Sequence, residues 1–331
     1  MKSFVTELAE WLEDKTRILV LTHTKPDGDA VGSLFGMAYM LKGMHKITHI
    51  YLDAELPELY QQISAVKNLK TKIFVDKGVD VSSYHGVVIL DAANAQMVSL
   101  KNVVESAKKH NVPVCVVDHH FDNKRYGDLN IVENHAAAAA VLADFAQVRN
   151  LEICKDTATC LLLGIMRDTG GFRFQNTRPL TLRLTAWLME QGADYHGLTH
   201  KVFFSEPLNR KKFLSYVIEH KIQFACGHRV LYAVLEDEDF AAFNLHKKDM
   251  EGLIDTVRTI EGVVITCLFT KFRGRIKLSL RSSDERYPVN EIAGQIGGGG
   301  HKLAAGARYD GDHFEPAVSK FLSLVEKVFS S

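Results

Sequence analysis

The stretch that decides the fold reads Leu21-Thr-His-Thr-Lys-Pro-Asp-Gly-Asp-Ala-Val-Gly-Ser33. It follows a short β-rich run, Arg17–Thr22, and precedes residues with helical spacing. We therefore place His23, Asp27 and Asp29 on a strand-to-helix loop, which is where open α/β sheets bind their ligands. Two carboxylates this close repel each other unless a cation neutralises them. The stretch predicts half of a metal site, although a solvated turn with an ordinary loop histidine fits equally well when the stretch is taken alone.

Three later apolar segments also end in acidic or histidine side chains. Two are buried parallel-type strands, and the third is a helix that Gly170 and Gly171 terminate. Strands that alternate with helices indicate βαβ units and a parallel sheet, and hence the α/β class. The side chains at the three ends are Asp91, the run Asp118-His119-His120, and Asp168. Further helices are predicted over Leu56–Val66, Val98–Lys109 and Leu208–Phe224.

Each of these features has a structural alternative. An Asp at the end of a strand is often only a helix cap, and Asp91 on its own favours that interpretation. The adjacent imidazoles of His119 and His120 are costly to bury unsatisfied, whereas they suit a site where one binds metal and the other faces substrate. The small-residue run Ala136–Ala140 is interpreted as close helix packing.

The candidate ligands form a mostly oxygen set. Asp168 lies at a helix C-terminus, where a carboxylate needs a positive neighbour, and a metal, Arg167 or Arg173 would serve. An oxygen-rich set suits Mn²⁺ or Mg²⁺ better than structural zinc, which prefers thiolates. Four carboxylates exceed the needs of one catalytic ion, whereas two ions about 3.5–4 Å apart, bridged by one carboxylate, fit phosphoryl chemistry. The six ligands are His23, Asp27, Asp29, Asp91, His119 and Asp168.

Length and composition indicate a globular protein of about two domains. The 331 residues contain 40 Lys+Arg and 40 Asp+Glu, so no overall positive field would hold long duplex nucleic acid. The five cysteines form no CxxC pair, which indicates reduced thiols. The opening acidic amphipathic helix differs from a signal peptide, and no apolar run approaches the roughly 20 residues of a membrane span. We therefore expect a cytoplasmic protein that binds no membrane.

The second half of the chain is β-rich. We predict a first domain over residues 1–190, a helical linker over 191–225 that acts as a hinge, and a second domain over 226–331. Arg275–Arg281 alternates apolar and polar side chains, so that one face is core and the other is cationic. The run Gly297–Lys302 combines four glycines with an imidazole and an ammonium group. It predicts a nest of bare N–H groups that binds an anion, and a flexible linker is the weaker alternative.

These motifs resemble those of the DHH phosphoesterases. The matching segments occur in the order of that family: His23–Ser33, Leu90–Asp91, Asp118–His120 and Asp168–Arg173. The resemblance implies an N-terminal parallel-sheet DHH domain with flanking helices and a smaller C-terminal α/β domain with a mixed sheet. Leu280-Arg281-Ser282, followed by Gly-Gly-Gly-Gly-His301, is similar to the DHH-associated domain of the oligoribonuclease (nanoRNase) and 3′,5′-bisphosphate nucleotidase branch.

The resemblance also implies roles for individual residues. One Mn²⁺ would take His23 and Asp27, and a second would take Asp29, His119 and Asp168. Asp91 would bridge the two ions, His120 would contact the scissile phosphate, and Arg173 would complete the catalytic set. The residues that would hold the substrate are Arg281, Ser282, Gly298, Gly299, Gly300 and His301.

The activity implied by this branch is Mn²⁺-dependent cleavage of short oligoribonucleotides to nucleoside 5′-monophosphates, together with dephosphorylation of 3′-phosphoadenosine 5′-phosphate to AMP. The enzymatic alternatives are a linear or cyclic dinucleotide phosphodiesterase and an inorganic pyrophosphatase or exopolyphosphatase of the same superfamily. The non-catalytic alternative is a nucleotide-binding metal sensor, which would be expected to lack at least one of the six ligands. The run Ala136–Ala140 and the missing Arg after Asp91 depart from the family pattern and leave the substrate preference open. The sequence also leaves open whether the chain forms a homodimer.

Overall fold

The computed structural model describes residues 3–76, 78–246 and 252–330. The chain divides into two compact units, Met1–Ser205 and Glu206–Ser331, and this boundary falls within the linker predicted over residues 191–225. Within the described ranges, no helix is both long and apolar enough to cross a membrane.

A six-stranded parallel sheet organises the first unit. Its strands are β1 (Arg17–Leu21), β2 (Ile47–Leu52), β3 (Lys72–Val75), β4 (Gly86–Leu90), β5 (Val114–Asp118) and β6 (Leu129–Val132). They lie in the order β3-β2-β1-β4-β5-β6, and every neighbouring pair is parallel. All residues of β4 and β5 are buried, as expected for central strands that are covered on both faces. The predicted α/β class and parallel sheet are confirmed.

Helices cover both faces of this sheet. They are α1 (Phe4–Glu13), α2 (Gly28–Gly43), α3 (Glu58–Gln61), α4 (Ser64–Asn68), α5 (Val103–Lys109), α6 (Ala138–Val148), α7 (Lys155–Asp168), α8 (Pro179–Glu190) and α9 (Tyr195–Thr199). The larger apolar core joins α1, α2, α6, α7 and α8 to one face, and a smaller core joins α5 to the other. After α9 the chain continues as a π-helical turn, His200–Phe204.

Glycines let α2 and α7 approach closely. A Cβ on Gly32 would lie 2.5 Å from the carbonyl oxygen of Cys160 and 2.6 Å from the nitrogen of Gly164, and a Cβ on Gly36 would lie 2.5 Å from the side chain of Leu161. A Cβ at Gly32 would require the backbone of α7 to move, and one at Gly36 would require the Leu161 side chain to move. The first residues of α2 are thereby held against the last residues of α7.

The second unit contains a mixed six-stranded sheet. Its strands are β7 (Ile222–Ala225), β8 (Val230–Leu235), β9 (Ile265–Phe272), β10 (Arg275–Ser282), β11 (Gly299–His301) and β12 (Ala304–Tyr309), and its helices are α10 (Leu208–Tyr216), α11 (Asp237–Ala241), α12 (Leu253–Val257), α13 (Val289–Gly294) and α14 (Phe314–Ser330). The order is β11-β12-β10-β9-β8-β7. Only β8 and β9 run parallel among these neighbours, which confirms the predicted mixed sheet.

Three predicted helices have different boundaries. The segment predicted over Leu56–Val66 forms two short helices, α3 and α4. The helix predicted from Val98 begins only at Val103, because Val98 pairs with His23 in a β-bridge. The helix predicted to reach Phe224 ends earlier, because Ile222–Ala225 pairs with β8 instead. In each case long-range strand pairing or a local break overrides the periodic pattern.

Candidate metal centre

The predicted metal ligands meet at the carboxyl edge of the parallel sheet. The strand order changes direction between β1 and β4, which are neighbours although β2 and β3 separate them in sequence. This is the switch point at which open α/β sheets bind ligands. His23 follows β1, Asp91 follows β4, and His119 follows β5. Ligand atoms of His23, Asp27 and Asp91 lie within 4.8 Å of one another, and so do those of Asp29, His119 and Asp168.

Asp91 lies between the two imidazoles. Its Oδ2 is 3.7 Å from Nε2 of His23, and its Oδ1 is 3.5 Å from Nε2 of His119. The residue is 3% exposed, and its backbone has a φ of +52°. A non-glycine residue in this left-handed region costs about 1–3 kcal/mol, and such strain is concentrated at functional sites. The strained backbone therefore presents one carboxylate to two separate groups of ligands.

His23 and Asp27 form the first group with Asp91. The Nδ1–H of His23 donates to the carbonyl oxygen of Thr24 at 2.8 Å, which leaves Nε2 to face the carboxylates. This Nε2 lies 3.9 Å from Oδ1 of Asp27. Asp27 also caps α2, since its Oδ1 accepts hydrogen bonds from two N–H groups in the first turn at 3.0 and 3.1 Å. Both side chains are thus oriented by backbone groups.

Asp29, His119 and Asp168 form the second group. The Nε2 of His119 lies 3.2 Å from Oδ2 of Asp168 and 3.9 Å from Oδ2 of Asp29. Asp168 is the last residue of α7, and Gly170 follows with a φ of +58°. The predicted helix end before Gly170 is confirmed. Because α2 packs on α7, Asp29 in the first turn of α2 lies near Asp168.

Asp29 is fully buried and accepts three hydrogen bonds. Ala138 N–H donates to its Oδ2 at 2.6 Å, while Ala139 N–H and the hydroxyl of Ser33 donate to its Oδ1, each at 3.0 Å. The start of α6 therefore holds this carboxylate, a role that the sequence did not suggest. The predicted close packing of the alanine run is confirmed, because a Cβ on Gly164 would lie 2.5 Å from that of Ala139.

Asp118 positions His120. The Nδ1–H of His120 donates to Oδ1 of Asp118 at 2.8 Å, and the amide of Asn123 donates to Oδ2 at 2.5 Å. This arrangement leaves Nε2 of His120 available to a ligand, and 32% of the side chain is exposed. Sequence reasoning did not assign Asp118 a function. Its place directly before the two histidines was the signal that could have found it.

The pKa values in the cluster describe a site that needs positive charge. Burial, with help from the charge of Asp91, raises the pKa of Asp29 to about 7. Burial and the charge of Asp29 also raise the pKa of Asp168 well above its usual value. Burial alone would lower the pKa of the imidazoles, but Asp91 and the other neighbouring carboxylates together outweigh it, with help from the Thr24 carbonyl at His23. They raise the pKa of His119 to about 10 and that of His23 to about 9. Without a metal, protons supply the compensating charge.

The residues present fit divalent metal ions. Oδ1 of Asp91 is buried and has no hydrogen-bond partner within the described part of the chain. Leaving such an oxygen unsatisfied is costly, whereas a cation would satisfy it. Both imidazoles direct Nε2 toward carboxylates, and the donor set of oxygens with two nitrogens suits Mn²⁺ or Mg²⁺.

Arg173 lies on the loop that follows Asp168. Its Nε–H donates to the carbonyl oxygen of Gly170 at 2.6 Å, and its guanidinium carbon lies 5.7 Å from the centre of the Phe203 ring. The side chain is exposed. These contacts hold the Arg173 side chain at its own loop, and its catalytic role stays a prediction.

Arg281 and Ser282 lie at the end of β10 in the second unit. Arg281 Nε–H donates to Oδ1 of Asp255 at 3.1 Å, and part of its guanidinium remains exposed. Ser282 is buried, and its hydroxyl donates to the carbonyl oxygen of Asp284 at 2.9 Å and accepts from its N–H at 3.2 Å. The Ser282 hydroxyl is therefore engaged in a turn, which favours a structural role over substrate contact.

The glycine run forms an edge strand rather than a nest of four bare N–H groups. The N–H groups of Gly297 and Gly298 donate to carbonyl oxygens at the end of α13, at 3.2 and 2.8 Å. Gly299–His301 is β11 and pairs with β12. The prediction of a bare nest is therefore wrong for the first two glycines, because the end of α13 uses their donors. The remaining part of the run is exposed.

Comparison with known proteins identifies the family. The model of the DHH family, N-terminal domain, matches residues 17–165, and that of the DHHA1 domain matches residues 227–331. A protein of Thermus thermophilus named bifunctional oligoribonuclease and PAP phosphatase NrnA is 30% identical over 315 residues, which are 94% of this chain and 89% of that protein. The chain belongs to the DHH phosphoesterase family.

Other relatives agree with this assignment. The Bacillus subtilis protein of the same name is 24% identical over 308 residues, which are 91% of this chain and 92% of that protein. The crystal structure of an exopolyphosphatase-related protein from Bacteroides fragilis has the same fold, with a TM-score of 0.89 at 22% identity, and covers 100% of this chain and 99% of that one. As a DHH phosphoesterase the chain is a hydrolase of a metal-dependent family, and its cluster of carboxylates and imidazoles has the composition that such a family needs.

Proposed function

We propose that this chain cleaves short oligoribonucleotides to nucleoside 5′-monophosphates and removes the 3′-phosphate of 3′-phosphoadenosine 5′-phosphate, with two Mn²⁺ ions in one site. The observation that carries the proposal is the position of Asp91, whose two oxygens face two separate histidine and carboxylate groups. The names of two relatives that match at least 91% of this chain combine an oligoribonuclease with a PAP phosphatase.

In the proposed site, each group of ligands holds one ion. His23 and Asp27 would hold the first and Asp29, His119 and Asp168 the second, with Asp91 shared between them. When bound, such a pair of ions lowers the pKa of water and stabilises the charge of the phosphoryl group. Mn²⁺ is our choice because the set combines oxygen ligands with two imidazoles, and Mg²⁺ is the alternative.

The chain itself supplies a proton donor for the phosphate. The hydrogen bond to Asp118 raises the pKa of His120 above its usual value, which favours the imidazolium form. With Nδ1–H donated to Asp118, the Nε2–H of His120 is left to donate to a phosphate oxygen. A positioned donor of this kind stabilises the negative charge that develops in the transition state.

We further propose that Arg173 completes the set of groups that contact the phosphate. Its Nε–H already donates to the loop, so the two Nη groups would remain for the substrate. The stacking of the guanidinium over Phe203 limits its motion. The exposed position of the loop is consistent with a contact made only when the substrate is present.

Substrate binding is proposed for the second unit. Asp255 holds Nε of the Arg281 guanidinium and the carbonyl oxygen of Leu280 holds Nη1, so that Nη2 can still contact a nucleotide phosphate. His301 and the exposed glycines of β11 lie across β12 from this arginine, since Arg281 and His301 both pair with Ala304. We retain Gly299, Gly300 and His301 as phosphate or sugar contacts. Gly298 remains a proposed contact through its carbonyl only, because its N–H is used.

One reaction would then account for both substrates. Each has a phosphorus attached to O3′ of a nucleotide that carries a 5′-phosphate. The oxygen of water bonds to that phosphorus, the O3′–P bond breaks, and O3′ takes up a proton. RNA yields a 5′-mononucleotide and a remainder with a new 5′-phosphate, whereas 3′-phosphoadenosine 5′-phosphate yields AMP and inorganic phosphate.

The free state of all five cysteines is consistent with action in the reducing cytoplasm.

A substrate panel tests the proposal. The purified chain with Mn²⁺ would be assayed on a short RNA, 3′-phosphoadenosine 5′-phosphate, a linear dinucleotide and pyrophosphate, with the Asp91→Asn variant as the inactive control. We expect turnover of the first two substrates and its loss in the variant. A preference for pyrophosphate by orders of magnitude would overturn the proposal.

A further inference from the structure

One face of the mixed sheet is cationic where β10, β12 and β11 lie side by side. Directly paired residues of antiparallel strands present their side chains on the same face. The rows on this face, from one end to the other, are Arg281, Ala304 and His301; Ser279, Gly306 and Gly299; then Lys277 and Arg308. The first row contains the proposed substrate contacts. In the other two rows Gly299 is a proposed contact as well, whereas Ser279, Gly306, Lys277 and Arg308 have no function in the mechanism above.

Lys277 and Arg308 form an unfavourable pair in the absence of a ligand. They lie directly opposite each other, both are exposed, and neither has a carboxylate within 4.0 Å in the described ranges. Two like charges opposite each other in a sheet destabilise the pairing. A bound anion would remove this repulsion, so the pair is suited to a phosphate group.

Two glycines make the middle row flat, although the packing does not require them. A Cβ on Gly299 would meet no atom within 4 Å, and a Cβ on Gly306 would make an ordinary contact of 3.5 Å with the carbonyl oxygen of Leu278. Neither has a positive φ. Gly300 differs, because its φ is +139° and an added Cβ would clash with β12. A glycine that neither the packing nor its φ angle requires often marks the close approach of a ligand.

Beyond Lys277 and Arg308, the same face of the sheet carries a partly exposed aromatic ring. Phe272 is 38% exposed, and it lies opposite Arg275 at the end of the β9–β10 hairpin. The guanidinium carbon of Arg308 lies 5.6 Å from the centre of its ring. Arg275 itself is paired with Asp310 at 3.0 Å, so it contributes less net charge. Exposed aromatic rings beside cationic groups are the platforms on which single-stranded nucleic acids stack their bases.

We propose that this face binds the nucleotides of an oligoribonucleotide that lie beyond the one held at Arg281. In this arrangement Lys277 and Arg308 contact a phosphate, the glycine row admits the sugar, and Phe272 stacks on a base. Lys277 lies four residues, or about 14 Å, from Arg281 along β10, which is comparable to two internucleotide steps of an extended strand. The inference rests on the proposed function. It predicts that the chain handles RNAs of several nucleotides by contacts that a mononucleotide cannot make.

Two lysines of the same hairpin provide a matched test. Lys277→Ala removes a charge from the proposed face, whereas Lys271→Ala removes one from the opposite face, where the ammonium group lies over Phe314. We would measure kcat/KM of the Mn²⁺-loaded enzyme on a five-nucleotide RNA and on 3′-phosphoadenosine 5′-phosphate at several salt concentrations. Lys277→Ala should lower the value for the RNA roughly tenfold and leave the mononucleotide value unchanged. Lys271→Ala should leave both unchanged.

The salt dependence separates a phosphate contact from a general loss of stability. Removing one phosphate contact should make the logarithmic salt dependence for the five-nucleotide RNA less steep by about 0.7. Arg308→Ala should have the same effect, and Phe272→Ala should lower the RNA value without changing the slope. Equal losses on both substrates, or an RNA value unaffected by Lys277→Ala and Arg308→Ala, would overturn the inference. If the wild-type chain hydrolyses neither substrate, the proposed function itself fails, which is a different outcome.

Discussion

The imidazole of His120 donates a hydrogen bond from Nδ1 to Oδ1 of Asp118, at a distance of 2.8 Å. The carboxylate is fully buried, and Asn123 holds its other oxygen at 2.5 Å. The bond fixes the ring orientation and selects the form in which Nε2 faces outward. Asp118 is therefore a positioning residue, although it belongs to neither of the two proposed ligand groups.

Asp118→Asn tests this role. The variant removes the charge but keeps the shape, so we expect kcat to fall by about 10–100-fold while Mn²⁺ stoichiometry is retained. Because Asp118 raises the pKa of His120, the alkaline limb of the pH profile of kcat should move to lower pH. A change in KM alone, with an unshifted pH profile of kcat, would mean that Asp118 acts only on the fold.

The metal-free protein should lose stability as the pH rises through the alkaline range. The pKa of His23 is raised from 6.5 to about 9 and that of His119 from 6.5 to about 10. A raised pKa in the folded state gives stability that is complete below pH 6.5 and is lost as the pH rises through the folded values. Thermal melts of chelator-treated protein between pH 6.5 and 10 would show a falling Tm. Saturating Mn²⁺ should weaken this dependence, because the metal displaces the protons, and a flat profile without metal would contradict the assigned contacts.

Gly164→Ala should disturb the close contact between α7, α6 and Asp29. The new Cβ would lie 2.5 Å from both the Cβ of Ala139 and Oδ1 of Asp29, so we expect a loss of about 1–3 kcal/mol in the free energy of unfolding. Gly43→Ala is the control, because it lies in α2 with no atom within 4 Å and should stabilise by about 0.4–1 kcal/mol. Urea unfolding measures both. Equal stability of the two variants would show that the contact is not tight.

Arg281→Ala should lower kcat/KM for both nucleotide substrates by a similar factor. Loss of a charge-assisted contact of roughly 1.5–3 kcal/mol corresponds to a fall in kcat/KM on the order of 10–100-fold. Arg281→Lys should not restore activity, because an ammonium group cannot make the bidentate contact that a guanidinium makes with a phosphate. Asp255→Asn breaks the ion pair but keeps the arginine, and it should have a smaller effect because the pair is partly exposed. Loss of RNA cleavage alone in Arg281→Ala would mean that the two substrates bind differently.

The sequence was sufficient to predict which side chains come together, because strand ends in a parallel sheet converge on one edge. His23, Asp91 and His119 follow β1, β4 and β5, and these strands are neighbours. Each apolar strand could be recognised on its own. The polar residues at the strand ends could then be predicted to meet without knowledge of the strand order. Asp27 and Asp29 needed only the turn between β1 and α2.

The contacts that hold these ligands could not be predicted in the same way. Ala138 donates to Asp29 across 109 residues of sequence, and no local pattern specifies that pairing. The edge strands β3 and β6 are short and only partly buried, so they lack a clear alternation. A usable signal was overlooked in α2, where Gly28, Gly32 and Gly36 recur every four residues on the side that packs against α7. The pairing of β11 with β12 also depends on the fold, since glycine carries no side-chain pattern.

The most direct test of the account is the number and position of metal ions at Asp91. Crystals grown with Mn²⁺ and measured at the manganese edge should show two anomalous peaks per chain, about 3.5–4 Å apart, with one Asp91 oxygen on each. Crystals of Asp91→Asn should lose this pair while the fold is retained. A single peak, or two peaks that Asp91 does not join, would contradict the central claim.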